Sequence, residues 1–132
     1  MKITVDTNVL VRAVLQDDPV QGAAAARILK EATLIAVSLP VLCELVWVLR
    51  RGAKLSRDEI AQTIRDLLAT DKVAMNRPAA EAGLAMLEAG GDFADGVIAH
   101  EGLWLGGETF VSFDHQAVAL LAAQGKTARP AS

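Results

Sequence analysis

Short apolar runs alternate along this chain with longer stretches of helical periodicity, and that alternation leaves few folds open. Ile3–Val5, Leu34–Val37, Lys72–Met75 and Thr109–Phe113 read as strands, with a further short one near Lys126–Ala128. Between the first two, Thr7–Gln16 carries Val9, Leu10, Ala13 and Val14 on one stripe, as a helix with one apolar face requires. Asp18-Pro19 caps and opens a second helix that runs to Glu31. Ser38 caps a third, with Pro40 in its first turn and Gly52 as its end. Ser56-Arg57-Asp58-Glu59 is a capping box that opens a helix to Ala69. Pro78–Ala89, Phe93–Leu105 and His115–Gln124 are helical, each closed by glycine. Strands separated by helices need crossover connections. The expectation is therefore an α/β domain spanning 1–132, with a parallel sheet of about four to five short strands covered by helices on both faces.

At 132 residues the chain is long enough to bury a core without staples. Its single cysteine, Cys43, excludes an internal disulfide framework and fits a reducing compartment. The N-terminal apolar stretch breaks at Asp6, unlike a signal peptide, and no uncharged apolar run is long enough to span a membrane. The expectation is a cytoplasmic protein. Only 4% of residues are aromatic, which argues against an extended base-stacking platform. The formal charge of −3 argues at first against a phosphate-rich partner.

In parallel sheets the ligand site lies at the carboxyl ends of the strands. Two strands here run directly into an aspartate, Ile3-Thr4-Val5 into Asp6 and Phe110-Val111-Ser112-Phe113 into Asp114. Each can be a plain helix cap, but two in one small sheet suggest a site. Glu44 stands in an apolar run, Leu39 to Leu49, where an ionised carboxylate is costly without a positive partner; the plainer alternative is a Glu at the one wet azimuth of a mostly buried helix, paired with Arg50 or Arg51. Asp92 and Asp95, three apart, share one face of a helix start. Gly96 beside them lets that helix pack closely on a neighbour. Carboxylates pushed together repel unless a cation compensates. The candidate ligands are all hard oxygens, which favours Mg²⁺ or Mn²⁺ over zinc and suits metal-assisted phosphodiester hydrolysis.

In their order and spacing, Val5-Asp6-Thr7-Asn8-Val9-Leu10, the Glu44 helix, Asp92-Phe93-Ala94-Asp95-Gly96-Val97-Ile98-Ala99 and Ser112-Phe113-Asp114 resemble the PIN domain, and within it the VapC-type ribonuclease toxins of toxin–antitoxin pairs. The resemblance implies a three-layer fold and an acidic quartet of Asp6, Glu44, Asp95 and Asp114 that binds Mg²⁺ or Mn²⁺, with Asp92 able to approach the ion through water. It implies that Thr7 or Asn8 orients Asp6, and that Ser112 stands in for the family's more usual Thr. Gly96 replaces a more usual Ala, a change expected to be tolerated. It further implies an RNA substrate, a homodimer, and inhibition by a cognate antitoxin.

Arg50, Arg51 and Lys54, in the densest basic patch, are candidates for contact with an RNA backbone. Trp47, Trp104 and the three Phe read as core or dimer contacts. With Asp6, Glu44, Asp92, Asp95 and Asp114 assigned to one cleft, 11 of the 16 acids remain against 13 bases, so the acidic balance does not exclude RNA. Two other classes stand beside a ribonuclease. One is a receiver- or phosphatase-like phosphoryl-transfer domain, which also places acids at strand ends. The other is a non-catalytic PIN-like module acting through protein contacts alone.

Overall fold

Every strand pair in the protein is parallel. The computed structural model describes residues 1–132 and divides them into two compact units, Met1–Asn76 and Arg77–Ser132.

The first unit runs β1 (Lys2–Thr4), α1 (Thr7–Leu15), α2 (Pro19–Glu31), β2 (Leu34–Ala36), α3 (Leu39–Trp47), a single π-helical turn (Val48–Gly52), α4 (Arg57–Ala69) and β3 (Val73–Ala74). β2 is central, with Ile3 paired to Ile35 and Ile35 to Val73. Val5, just past β1, still donates to Ala36 O at 3.2 Å. The core gathers Val5, Leu10, Ile35, Leu42, Leu45, Ile60 and Ile64, all buried. The expected caps are present at α2 and α4. Asp18 Oδ1 accepts from Val20 N and Gln21 N, and the Ser56–Glu59 box is closed at 3.1 and 3.0 Å. Ser38 takes the cap position of α3 but its hydroxyl makes no cap bond there.

The third helix ends at Gly52 as expected, but its last turn is π-helical, and the left-handed conformation (φ 57°) that glycine usually takes falls on Lys54. Ala53 N donates to Val48 O at 3.0 Å and Leu55 N to Leu49 O at 2.9 Å around it.

Lys72 has a role that its place beside a strand does not announce. Its ammonium donates to the carbonyls of Leu29, Lys30 and Ala32 at 2.5, 2.9 and 3.1 Å, closing the carboxyl end of α2. A cation there also meets the negative end of the helix dipole. Lys72→Met keeps the length and removes all three bonds. We expect a loss of about 2 kcal/mol, the range for hydrogen bonds to a charged group, read as a lower urea midpoint at unchanged slope.

The second unit runs α5 (Arg77–Glu88), α6 (Phe93–Trp104), β4 (Phe110–Ser112), α7 (His115–Ala123) and β5 (Ala128–Pro130). β4 and β5 pair from Phe110–Ala128 to Ser112–Pro130. Met86, Ala117 and Leu121 form a buried cluster, against which Phe110, Leu120 and Ala128 pack. α5 and α6 touch at glycine: Gly83 lies under the ring of fully buried Phe93, and Gly96 lies on the backbone of Ala82 and Gly83. The five expected strands are all present, in ladders of three and two, and most are one or two residues shorter than the sequence pattern.

Of the aromatic residues assigned to core or dimer contacts, only Phe93 is fully buried. Phe113, Trp47 and Trp104 are 76%, 64% and 86% exposed. No helix is long and apolar enough to cross a membrane.

Candidate metal centre

The structure places three of the candidate acids at helix N-termini. Asp6 follows β1 and its Oδ1 accepts from Thr7 N at 2.7 Å. Asp92 Oδ1 accepts from Ala94 N at 3.2 Å at the start of α6. Asp114, after β4, accepts from Ala117 N at 3.1 Å at the start of α7. The plain capping reading therefore holds for each, but each cap bond uses one carboxylate oxygen. The cap fixes the direction of the carboxyl group and leaves the second oxygen as an acceptor.

In the second unit, Asp95 is the electrostatic centre. It sits half-buried in the first turn of α6, where the helix dipole favours its charge. Burial, and then the charges of Asp92 and Asp114, outweigh that and push its carboxyl above the usual range. Asp92, from the start of α6, and Asp114, from the β4–α7 junction, are thus both within electrostatic reach of Asp95. Ser112 supports the junction: its Oγ accepts from Asp114 N at 3.0 Å, a short hydroxyl turn that any Ser or Thr can make.

In the first unit, Asp6 is oriented by the backbone amide of Thr7 and not by a side chain. Thr7 itself is buried and its hydroxyl has no hydrogen-bond partner. An unpaired buried hydroxyl costs about 1–3 kcal/mol, and this one stands next in sequence to a candidate ligand. Asn8 is exposed and lines, with Val9, Arg12, Gln21 and Ile28, a cleft of about 400 Å³ between α1 and α2. Arg12 is tied to Asp17 at 3.3 Å.

The expectation for Glu44 needs correction. It is not enclosed by the apolar run but exposed, and it pairs with neither Arg50 nor Arg51. The reason is periodicity. Leu42, Leu45, Val46 and Leu49 recur at the spacing of one helical stripe and are all buried, which turns Glu44 and Trp47 to the opposite side. The same spacing, applied to the run, gives the exposure of Trp47. Arg50, Arg51 and Lys54 are exposed at and beyond the π turn.

These residues fit a divalent cation in kind. All donors are carboxylate oxygens; the Asp95 carboxyl is raised first by burial and then by the charges of Asp92 and Asp114, and a cation would relieve the latter. The structure does not bring three or more Asp, Glu, His or Cys side chains close enough together to cage an ion. Mg²⁺ does not require such a cage, because it is commonly held by one or two carboxylates, its own waters and substrate phosphate oxygens.

Residues 3–120 match the sequence model of the PIN domain family, a span that takes in all of the acids discussed above. No curated protein matches the chain.

Proposed function

Because this chain belongs to the PIN domain family, whose members are generally metal-dependent nucleases, we propose that it is a Mg²⁺- or Mn²⁺-dependent endoribonuclease. The observation that carries the reading is the acidic group around Asp95, which is half-buried with the carboxylates of Asp92 and Asp114 in electrostatic reach. A phosphoryl-transfer domain of the receiver or phosphatase kind finds no support in the family match.

In this reading the resemblance assigns Asp6, Glu44, Asp95 and Asp114 as the acids that would hold the cation, with Asp92 as one that would approach it through water. When bound, the cation polarises the attacking water and neutralises charge on the phosphate and the leaving oxygen. The protein orients the carboxyl groups through the cap bonds of Asp6, Asp92 and Asp114, and holds Asp114 through Ser112. Asn8 adds an exposed amide beside Asp6, and Thr7 a buried hydroxyl. Arg50, Arg51 and Lys54 draw in the RNA backbone. Without a cation, the same acids repel phosphate.

The order and spacing of the acids and of Val5-Asp6-Thr7-Asn8 further support assignment as the toxin of a VapC-type toxin–antitoxin pair, a cytoplasmic homodimer inhibited by its cognate antitoxin. The decisive measurement is cleavage of single-stranded RNA by purified protein. Activity should require Mg²⁺ or Mn²⁺, vanish in excess EDTA and return on adding the metal. Asp6→Asn should remove it while circular dichroism stays unchanged. Full activity in EDTA would sink the reading. The toxin assignment is checked separately, by growth arrest on expression alone and its relief by the product of a neighbouring reading frame.

A further inference from the structure

We propose that Trp47 is a nucleobase-stacking platform for the RNA, set on one strip with Glu44 and the cations of the π turn; this rests on the ribonuclease reading. α3 anchors itself without Trp47, since Leu42, Leu45 and Leu49 are fully buried and Val46 nearly so. Trp47 stands one turn beyond Glu44 on the opposite, solvent side and is 64% exposed. Arg51 follows it by four residues on the π turn, with exposed Arg50 and Lys54 beside it. An acid, an aromatic ring and a group of cations along one exposed strip match successive parts of a nucleotide: the phosphate under attack, a base with a π-face, and the next phosphates of the backbone.

Two features of the backbone point the same way. π turns are rare and frequent at functional sites. Lys54 also holds a left-handed conformation at φ 57°, where glycine would be less strained, so a cation is kept there against the local preference of the backbone. A second copy of the chain suits the strip less well. A twofold contact presents the same patch from both partners, which would set Arg50, Arg51 and Lys54 against themselves, and the cores of such interfaces are poor in charge.

The test uses the full chain carrying Trp104→Phe, so that Trp47 is the sole indole, and Asp95→Asn, so that RNA is not consumed. Titration with a short single-stranded RNA in Mg²⁺ should quench Trp47 emission in a saturable way. Adding Trp47→Ala should weaken binding about tenfold, as expected for one stacked base, and Trp47→Phe should keep most of the affinity. Lys54→Gly should raise the melting temperature, weaken RNA binding several-fold and lower its salt dependence by about one phosphate contact. RNA that binds without changing Trp47 emission overturns the proposal. So does a Trp47→Ala protein that falls from dimer to monomer in sedimentation and binds RNA as before, which would assign the ring to contact between copies. Cleavage by the unsubstituted chain is scored apart. Quenching without cleavage overturns the ribonuclease reading alone, and cleavage without quenching overturns only the stacking.

Discussion

Asp95→Asn should abolish RNA cleavage and at the same time stabilise the metal-free protein. The two effects share one cause. Asp95 is half-buried with the charges of Asp92 and Asp114 nearby, so its ionised form is unfavourable in the fold, and its carboxyl lies above the usual range. A carboxyl whose folded pKa is raised stabilises the fold at pH below its ordinary value. That contribution is lost as pH rises through the folded value. The metal-free wild-type protein should therefore lose melting temperature relative to Asp95→Asn as pH climbs from the ordinary carboxylate range toward neutrality. Above that range the gap should stay constant. Mg²⁺ or Mn²⁺ should raise the melting temperature of the wild-type protein near neutral pH and have little effect on Asp95→Asn. Cleavage should fall at least about a hundredfold in the variant, the scale seen when one preorganised electrostatic group is removed from a catalytic site. A plain first-turn role, in which the helix dipole alone favours the Asp95 charge, would give a different pattern: lower stability in the variant wherever the carboxyl is ionised, no metal-dependent difference, and preserved cleavage. Calorimetric scans across pH, with EDTA and with each ion, separate the two.

The α/β class and the alternation of elements were legible in the sequence because the signals are local. A strand-Asp-helix junction, a Ser-x-x-Glu capping box and an Asp-Pro helix start each act over a few residues, and the structure keeps all three. Glu44 shows where a local reading goes wrong. Apolar neighbours on both sides in sequence suggested enclosure, whereas exposure is set by azimuth, and the Leu42–Leu45–Val46–Leu49 stripe leaves Glu44 and Trp47 in water. The end of the third helix at Gly52 was legible, but the π-helical form of its last turn was not: a glycine permits a left-handed cap without compelling one, and here that conformation falls two residues on, at Lys54. Lys72 was beyond reach altogether, since its three carbonyl partners lie some 40 to 43 residues away in sequence and only the β2–β3 pairing brings them near. The rise in the Asp95 carboxyl comes first from its burial, which needs the packed fold, and last from Asp114, which the sequence separates from it by the rest of α6 and by β4.

The resemblance to the family gives alanine as the more usual residue at position 96 and expects this chain's glycine to be tolerated; the packing goes further and makes that glycine a requirement. Gly96→Ala should be the most damaging single-methyl addition in the second unit. A Cβ there would press into the carbonyl oxygen of Ala82, and would lie 2.9 Å from the Ala82 carbonyl carbon and from Gly83 Cα. All of these are backbone atoms of α5, so no side chain can swing aside. Relief requires α6 to move off α5. That movement is opposed at the same contact, because Phe93 is fully buried with its ring edge against Gly83, where a Cβ would lie 2.7 Å from Cε2. Lifting α6 would open the packing around Phe93, Met86 and Leu87, all fully buried. Overpacking of this kind costs about 1–3 kcal/mol where neighbours can adjust, so we expect about 3 kcal/mol here, a large part of the stability of a domain this size. Gly102→Ala is the control. It lies in the same helix, and a Cβ there meets nothing within 4 Å, so the substitution should stabilise by about 0.5–1 kcal/mol through helix propensity. Urea midpoints of the two variants should therefore move in opposite directions. Because Asp95 precedes Gly96 in the first turn of α6, the displacement should also weaken metal-dependent stabilisation in Gly96→Ala and leave it intact in Gly102→Ala. Equal midpoints for the two variants would mean that α5 and α6 do not meet at glycine.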